Sequence, residues 1–567
     1  MKKTFALTAL ALALAACTVN QDDAATVLPS EPEAQTAVTI DEDASSAPEK
    51  REVAGKGAGK LQPKSMMADS SHPVAAQRLA PSIHPQGHYR HRLPDYHLPP
   101  QGDRERYEGT ADNPVKRVVD DPLSTFSIDV DAASFTVARR YLNEGRLPPV
   151  DAIRTEEIIN ALAYQPLAGL NKARPVGVET RIFSAPWNTA TRLLQVRLNA
   201  WEPQATELPD SNYVFLIDVS GSMQGEDRIG LLKRAFAVML GKLKPTDTVA
   251  LVTYASGSRT VLEPTKASEK QVIQQALAAL TAGGSTHASD GIQRAYRLAE
   301  QVLIKGGNNR VILATDGDVN VGLQGDALVD LIETKRDAGI YLTVLGVGRG
   351  NYMDAQLEPL ANKGDGNYYY LDGFKEAQRV LVNGLKGTAY TVAKDVKLQV
   401  EFNPAVVAEY RLIGYNNRQL QHADFNNDAK GAGDIGAGHS VTALYEITLA
   451  NSGFRFIDDR RYGATRLAHG NTSELALVKL RYKSPEGGNS VRRDHVVYSR
   501  ELAEVRQANA AVVAAGFAEK LRGSSYVKGM DWAGLQSLLG ALDLSRENHT
   551  DLKEMVEMAA VLAATNG

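Results

Sequence analysis

Four short, continuously apolar runs lie in the middle of the chain and alternate with longer amphipathic stretches. The apolar runs are Tyr213–Ile217, Thr248–Tyr254, Arg310–Ala314 and Tyr341–Val347. The amphipathic stretches are Ile229–Leu243, Gln271–Leu280, Asp290–Ile304 and Asp326–Ala338. Apolar runs without alternation are typical of strands buried on both faces, and their alternation with helices indicates a mostly parallel sheet covered on both sides. We therefore predict a doubly wound, Rossmann-like α/β domain over residues 208–385.

A different pattern follows Lys394, where apolar and polar positions alternate one by one. The alternating runs are Val396–Phe402, Val441–Leu449 and Leu475–Tyr482. Such runs are typical of half-exposed antiparallel strands, and the Ala- and Leu-rich stretch Arg500–Ala564 is typical of helices. We predict a β-sandwich-like and helical module over residues 386–567, and a small α+β module over residues 114–207.

The beginning of the chain has the pattern of a secretory signal. Lys2 and Lys3 precede the apolar run Phe5–Ala16, which is too short for a stable membrane-spanning helix. The run ends in Leu-Ala-Ala followed by Cys17, which resembles the signal of bacterial lipoproteins. That resemblance implies that Cys17 is acylated and begins the mature chain. An ordinary signal with a chance cysteine is the alternative.

The residues that follow the signal indicate a location and a tether. Cys17 is the single cysteine, so no intramolecular disulfide can form. Thr18 stands where lipoproteins of the inner membrane carry aspartate, which favours the outer membrane of a Gram-negative bacterium. Residues 18–113 are rich in Pro, Ala, Ser, Gln and acidic residues and are predicted to be a disordered tether. The tether contains a histidine tract for which metal binding is a less favoured alternative: His84, His88, His91 and His97.

Charge and hydropathy exclude other classes of protein. The 567 residues carry a net charge of -4 and include 23% charged residues, which gives no indication of a nucleic-acid-binding surface. No internal stretch approaches the roughly 20 apolar residues needed to span a bilayer.

Small oxygen-bearing side chains follow two of the predicted strands. Asp218, Ser220 and Ser222 follow the first strand, and Asp316 follows the third. Because the carboxyl ends of parallel strands form one edge of a sheet, these side chains are expected at the edge where such folds bind ligands. Carboxylate and hydroxyl oxygens suit a hard divalent cation such as Mg²⁺, whereas Zn²⁺ would require histidine or cysteine ligands.

A fifth oxygen ligand is expected from another loop at this edge. Thr286 lies in the loop Gly283–Gly291, before the helix that leads to the strand of Asp316. The order Asp-x-Ser-x-Ser, then Thr286, then Thr315-Asp316-Gly317 resembles the metal-ion-dependent adhesion site (MIDAS) of von Willebrand factor type A domains. The resemblance implies Mg²⁺ or Mn²⁺ as the cofactor and a protein partner that presents an acidic side chain to it.

Both flanks of the predicted α/β domain carry a further resemblance. Thr125–Pro149 before it and Val400–Leu420 after it are similar to a bacterial envelope subfamily of these proteins. That subfamily has one module on each side of the A domain, which implies an order of domains more firmly than an activity.

Two other acidic segments have structural explanations that we favour. Asp129 and Asp131 could belong to a second metal site, but Asp131 or Ser134 is better explained as the cap of a helix over Phe135–Asn143. Asp424–Asp434 is similar to a calcium loop but lacks the terminal glutamate, so it is interpreted as a surface loop.

Catalytic signatures are missing from the sequence. It contains no GxSxG, HExxH or GxxxxGK[ST] motif, and His287 is the single candidate base for a serine nucleophile. We therefore interpret the protein as a binding protein and not an enzyme. A structural envelope scaffold without metal-dependent binding is the main alternative, and a serine hydrolase is a weaker one.

We predict that replacing Cys17 by Ser releases the protein from membranes or stops its processing, because no thiol is then present to carry acyl chains. Membrane fractionation and incorporation of labelled palmitate measure this outcome. A Cys17→Ser protein that fractionates with membranes like the wild type would contradict the anchor.

Overall fold

The structure is a computed structural model that describes residues 105–566 except 285–289, 318–324, 351–353, 385–386, 388–389, 459, 461–470 and 505–507. The signal, Cys17, most of the tether, Thr286 and His287 therefore lie outside the described residues. The strands are β1 (Lys116–Arg117), β2 (Leu123–Ser127), β3 (Val176–Ser184), β4 (Arg192–Ala200), β5 (Ser211–Asp218), β6 (Thr248–Tyr254), β7 (Ser258–Lys266), β8 (Asn308–Thr315), β9 (Ile340–Val347), β10 (Tyr368–Leu371), β11 (Thr391–Phe402), β12 (Val407–Ile413), β13 (Gly433–Gly436), β14 (Ser440–Leu449), β15 (Glu474–Lys483) and β16 (Val491–Tyr498). The α-helices are α1 (Ala133–Asn143), α2 (Thr155–Asn160), α3 (Ile229–Leu240), α4 (Lys270–Ala278), α5 (Gly291–Gln301), α6 (Asp326–Asp337), α7 (Asp354–Lys363), α8 (Phe374–Gln378), α9 (Ala510–Leu521), α10 (Trp532–Gln536) and α11 (His549–Asn566).

The middle of the chain forms a six-stranded sheet in the order β10-β9-β8-β5-β6-β7. All neighbouring strands are parallel except the edge pair of β6 and β7. Along β5, Val214 and Leu216 pack towards α5, α6 and α7, while Phe215 and Ile217 pack towards α3, α4 and α8. Both faces of the sheet are thus covered, and the predicted doubly wound α/β domain is confirmed.

The segments on either side of this domain build one β-sandwich together. One sheet has the order β1-β12-β14-β4-β3, and the other has β13-β11-β15-β16 with β2 also paired to β11. In each sheet, strands from before the central domain pair with strands from after it. Phe126 lies opposite Leu398, and Val196 lies opposite Ala443. The two flanking segments therefore share their sheets and one apolar core.

Helices from both ends of the chain cover the outer face of the sheet that contains β4 and β14. Phe135 of α1, Val513 of α9 and Leu552 of α11 belong to one buried cluster with Leu193 and Leu444 of that sheet. β14 is buried along most of its length, so its predicted half-exposure is wrong. The reason is that this helical layer replaces water on the polar side of the strand. Alternation of burial along β15 is as predicted. Within the described part of the chain, no helix combines the length and the apolar character needed to cross a membrane.

The described chain begins with a packed segment, which corrects the end of the tether that we placed at residue 113. The Glu105 carboxylate accepts hydrogen bonds from Arg140 at 2.6 Å, from Tyr141 at 2.9 Å and from the Gly350 amide at 2.8 Å. Burial opposes ionisation of Glu105, but the hydrogen bonds and charge of Arg140 outweigh it and lower the pKa of Glu105 to about 2. Asn113 donates to the Leu412 carbonyl at 2.9 Å. Residues 105–113 therefore belong to the folded body.

One arginine of α1 joins the helical layer to the central domain. Arg139 donates to Asp372 at 2.7 Å and to Glu376 at 2.9 Å, both of which follow β10 of the central domain. It also donates to Asp551 of α11 at 2.6 Å. All four side chains are at most 10% exposed, so this ion-pair network has little access to water.

We predict that Arg139→Ala destabilises the protein by about 3–5 kcal/mol, because it leaves the buried carboxylate of Asp372 without a cation. It also removes one of the two cations beside Glu376 and Asp551, which keep Arg379 and Lys375. Urea unfolding followed by circular dichroism measures this change. The control is Arg492→Ala, which removes a surface pair with Asp494 (2.7 Å, both side chains over 40% exposed) and should cost less than about 1 kcal/mol. Equal midpoints for the two variants would contradict the structural role of Arg139.

Candidate metal centre

Two neighbouring parallel strands, β5 and β8, bring the predicted metal ligands to one edge of the central sheet. β5 ends at Asp218, and β8 ends at Thr315 directly before Asp316. These strands lie side by side where the strand order reverses, and the crevice beyond their carboxyl ends is the usual ligand site of such sheets. The structure thus places Asp218 and Asp316 at this switch point, as expected.

Hydrogen bonds link the oxygen-bearing side chains into one continuous row. The Ser220 amide donates to Asp218 Oδ1 at 2.8 Å, and Thr315 Oγ1 donates to Asp218 Oδ2 at 3.2 Å. Ser220 Oγ lies 2.9 Å from Ser222 Oγ, which donates to Asp316 Oδ1 at 3.1 Å. Four of the five predicted ligands are therefore brought together.

The loop after β5 is held by a buried methionine and by backbone hydrogen bonds to a second loop. Met223, at the end of the turn Gly221–Met223, is fully buried in the core between the sheet and α3. The Gly221 amide donates to the Gly284 carbonyl at 3.0 Å, and the Gly283 amide donates to the Val219 carbonyl at 2.8 Å. Gly284 is two positions before Thr286 in the sequence. Thr286 itself lies outside the described residues, so its role as a ligand stays a prediction.

The site contains two buried carboxylates that lie close to each other. Asp218 is fully buried, and Asp316 is 2% exposed, while Ser222 is exposed and opens the site to solvent. Burial, reinforced by the negative charge of Asp316, raises the pKa of Asp218 to about 6 despite the hydrogen bonds that it accepts. A cation at this edge would relieve the repulsion between the two carboxylates.

The donor set suits a hard divalent cation. Asp218, Ser220, Ser222 and Asp316 offer carboxylate and hydroxyl oxygens, which Mg²⁺ and Mn²⁺ prefer. In this part of the described structure, the hydrogen-bonded row contains neither nitrogen nor sulfur side-chain donors of the kind that Zn²⁺ selects. The residues present therefore fit the predicted type of ion.

One residue of this site escaped the sequence analysis, and another was named there without a role. Thr315 belongs to the motif Thr315-Asp316-Gly317, and the structure shows that its hydroxyl donates to Asp218. The residue that was missed is Arg228. Arg228 approaches Asp316, with its Nε 3.6 Å from Oδ2. Nothing in its local sequence marks it, because Arg228 precedes a helix and is brought to Asp316 by the tertiary fold.

A second group of carboxylates, formed by Asp129, Asp131 and Glu358, is buried between the flanking segments and the central domain. The guanidinium of Arg418 contacts all three. Its Nε donates to Asp129 at 3.0 Å, and its Nη2 lies 3.3 Å from Glu358 and 3.6 Å from Asp131. A protein cation thus already lies against each of these carboxylates, and the group is explained as an ion-pair network.

The predicted caps of α1 are wrong. The helix begins at Ala133, and neither Asp131 nor Ser134 caps it through its side chain. Asp131 accepts a hydrogen bond from the Tyr368 amide at 3.0 Å, and Ser134 Oγ accepts one from the Arg154 amide at 3.1 Å. Distant segments recruit both side chains, which the local pattern could not show. The surface-loop interpretation of Asp424–Asp434 is confirmed for residues 426–431, which are exposed. It is wrong at the two ends, because Phe425 is buried and Gly433 begins β13.

Three family descriptions match consecutive parts of the chain. "Von Willebrand factor" matches residues 101–195, "von Willebrand factor type A domain" matches residues 212–382, and "Uncharacterized protein YfbK, C-terminal" matches residues 387–563. The chain is 42% identical over 436 residues to "Uncharacterized protein YfbK" of Escherichia coli K12, a match that covers 75% of this chain and 76% of that relative. The chain belongs to the YfbK family. Its central domain, called the A domain below, is a von Willebrand factor type A domain.

Other similarities are shorter or more distant. The chain is 30% identical over 128 residues to inter-alpha-trypsin inhibitor heavy chain H4 of Bos taurus, which covers 21% of this chain and 14% of that protein. A solved structure, "von Willebrand factor type A from Catenulispora acidiphila", shares 16% identity at a TM-score of 0.37, over 65% of this chain and 81% of that chain. The family assignment depends on the YfbK relative and the matching domains.

We predict that Asp218→Ala and Asp218→Asn both lose the Mg²⁺-dependent rise in melting temperature, because each removes a charge that attracts the ion. Without Mg²⁺ above pH 6, Asp218→Asn should melt no lower than the wild type. The folded state favours protonated Asp218, so the ionised carboxylate costs stability there, and a neutral amide avoids that cost.

The matched control is Asp326→Asn, which alters an exposed carboxylate at the start of α6 on the same edge of the sheet. Its melting temperature in EDTA and in Mg²⁺ should follow the wild type. A full Mg²⁺ response in either Asp218 variant would place the ion elsewhere.

Proposed function

We propose that this protein binds a protein partner through a divalent metal site in its A domain. The site consists of Asp218, Ser220, Ser222, Thr286 and Asp316, with Mg²⁺ or Mn²⁺ as the cofactor. The observation that carries the proposal is the continuous row of oxygens between Asp218 and Asp316 at the switch point of the sheet. Family membership supports it, because type A domains commonly mediate protein interactions.

The partner group is proposed to be an acidic side chain. When bound, a divalent ion supplies positive charge and an exchangeable coordination position for an oxygen ligand. Ser222 lies at the exposed side of the row, and the two aspartates are buried behind it. The hydrogen bond from Ser222 to Asp316 orients the serine hydroxyl. An incoming carboxylate would therefore approach past Ser222, with specificity provided by the surrounding loops.

Binding is favoured over hydrolysis by the partners of the two serines. Ser220 and Ser222 hydrogen-bond to each other, and Ser222 also hydrogen-bonds to Asp316. A serine nucleophile would require a neighbouring general base. His287 was the one sequence candidate for that base, and it lies outside the described residues.

The location is proposed to be the outer membrane of a Gram-negative bacterium, with Cys17 as the lipid-bearing residue. The tether from Thr18 would give the A domain reach from the membrane surface to its ligand. Since the packed body begins at Glu105 or earlier, the tether is shorter than the sequence alone suggested.

We predict that capture of the partner is lost in EDTA, is restored by Mg²⁺, and is lost in Asp218→Asn and Thr286→Ala proteins. Crosslinking on intact cells followed by pull-down and mass spectrometry measures capture. Asp326→Asn is the control and should capture like the wild type. Circular dichroism verifies that each variant is folded.

Capture that survives EDTA and both site variants would move the binding surface away from this edge. If the wild type also shows no Mg²⁺-dependent change in melting temperature, the scaffold alternative replaces the binding proposal.

A further inference from the structure

Arg228 adds a fixed positive charge next to the candidate metal centre. Its Nε lies 3.6 Å from Asp316 Oδ2, and its side chain is 21% exposed. Nη2 donates to the Arg349 carbonyl at 2.8 Å, in the loop that follows β9. The guanidinium is thus held between the start of α3 and a second loop at the same edge of the sheet.

The loop after β9 is shaped to receive this side chain. Gly348 has a φ of +77°, and a Cβ atom at that position would lie 2.4 Å from Arg228 Nε. Only glycine combines this backbone conformation with the close approach of the guanidinium. The side chain of Arg228 therefore packs directly against the backbone of the loop at Gly348.

The contact between Arg228 and Asp316 is electrostatic. At 3.6 Å the pair exceeds an ordinary hydrogen-bond length. Among the described residues, the buried Nε of Arg228 has no hydrogen-bond acceptor. Arg228 therefore partly neutralises Asp316 but makes no short hydrogen bond to the oxygens that could bind the ion.

We infer that Arg228 is an internal counter-cation of the metal centre, which weakens the binding of the divalent ion and selects an anionic partner. This inference rests on the proposed function. Asp218 and Asp316 together can only neutralise a divalent ion. Arg228 adds one further positive charge. Its Nη1 also lies 3.6 Å from Asp227, but that carboxylate is 39% exposed and screened by water, whereas Asp316 is buried. The loaded site therefore keeps a local positive charge that favours a carboxylate over a neutral ligand.

The first experiment titrates Mg²⁺ alone into the full chain at low ionic strength by calorimetry. Arg228→Gln should lower the Kd for Mg²⁺ by roughly tenfold, because it removes a unit charge a few ångströms from the ion. Arg228→Lys keeps the charge and should stay within about twofold of the wild type. Arg234→Gln is the control, because Arg234 lies on α3, which follows Arg228, but pairs with the exposed Glu226.

The outcomes separate this inference from the proposed function. An unchanged or higher Kd in Arg228→Gln, with the wild type binding Mg²⁺, overturns the counter-cation role and leaves the metal site intact. Binding that appears only in Arg228→Gln supports the role. Absence of binding in every protein overturns the metal site and this inference with it.

The second experiment uses acetate as a carboxylate probe on the Mn²⁺-loaded full chain. Displacement of metal-bound water lowers the water proton relaxation rate, which reports the binding of acetate. Arg228→Gln should weaken this binding by about fivefold or more, because the loaded site is then neutral. Equal acetate affinity in the wild type and Arg228→Gln would overturn selection of an anionic partner.

Discussion

The fold depends on a guanidinium that lies where the A domain meets the helical layer. Arg139 reaches from the first helix to Asp372 and Glu376 of the A domain and to Asp551 of the last helix. An arginine can serve three carboxylates at once because its donors point in fixed, divergent directions. The same low exposure that strengthens these contacts makes any unpaired member costly. The relative placement of the A domain and the helical layer is therefore specified by charge as well as by apolar packing.

Arginines compensate several buried carboxylates of the described structure, and the candidate metal centre differs from them. Arg418 contacts Asp129, Asp131 and Glu358, and Arg411 contacts Glu446 and Glu519 at 3.1 Å each. At the candidate metal centre, by contrast, Asp218 accepts hydrogen bonds from a neutral amide and a neutral hydroxyl. Its pKa is raised accordingly, while Arg228 stands beside the other aspartate. Among the described residues, Asp218 and Asp316 thus leave negative charge beside a row of oxygens that reaches solvent at Ser222.

The sequence was sufficient for features that depend on local pattern. Continuous apolar runs located β5 and β8, and parallel strands place their carboxyl ends together, so Asp218 and Asp316 could be paired from the sequence alone. Arg228 could not be found in this way, because its contact with Asp316 depends on how α3 and the loop after β9 pack. The predicted caps of α1 were wrong for a similar reason, because distant segments of the chain bind Asp131 and Ser134. The predicted half-exposure of β14 was wrong. Alternation predicts one apolar and one polar face of a strand, but it cannot show that helices from both ends of the chain cover the polar face.

The shared sandwich has a consequence for the order of events during synthesis. β2 and one side of β4 must wait for β11 and β14, which are made only after the whole A domain has been synthesised. The A domain has its own sheet and two apolar cores, so it can form while β2 has no strand partner and β4 is paired on one side only, with β3. Its compaction then brings the chain on either side closer together and reduces the entropy lost on closing such a long loop. During synthesis the A domain therefore holds the two halves of the sandwich near each other. A chain truncated after the A domain would leave β2 and β4 with exposed edges that are prone to aggregation.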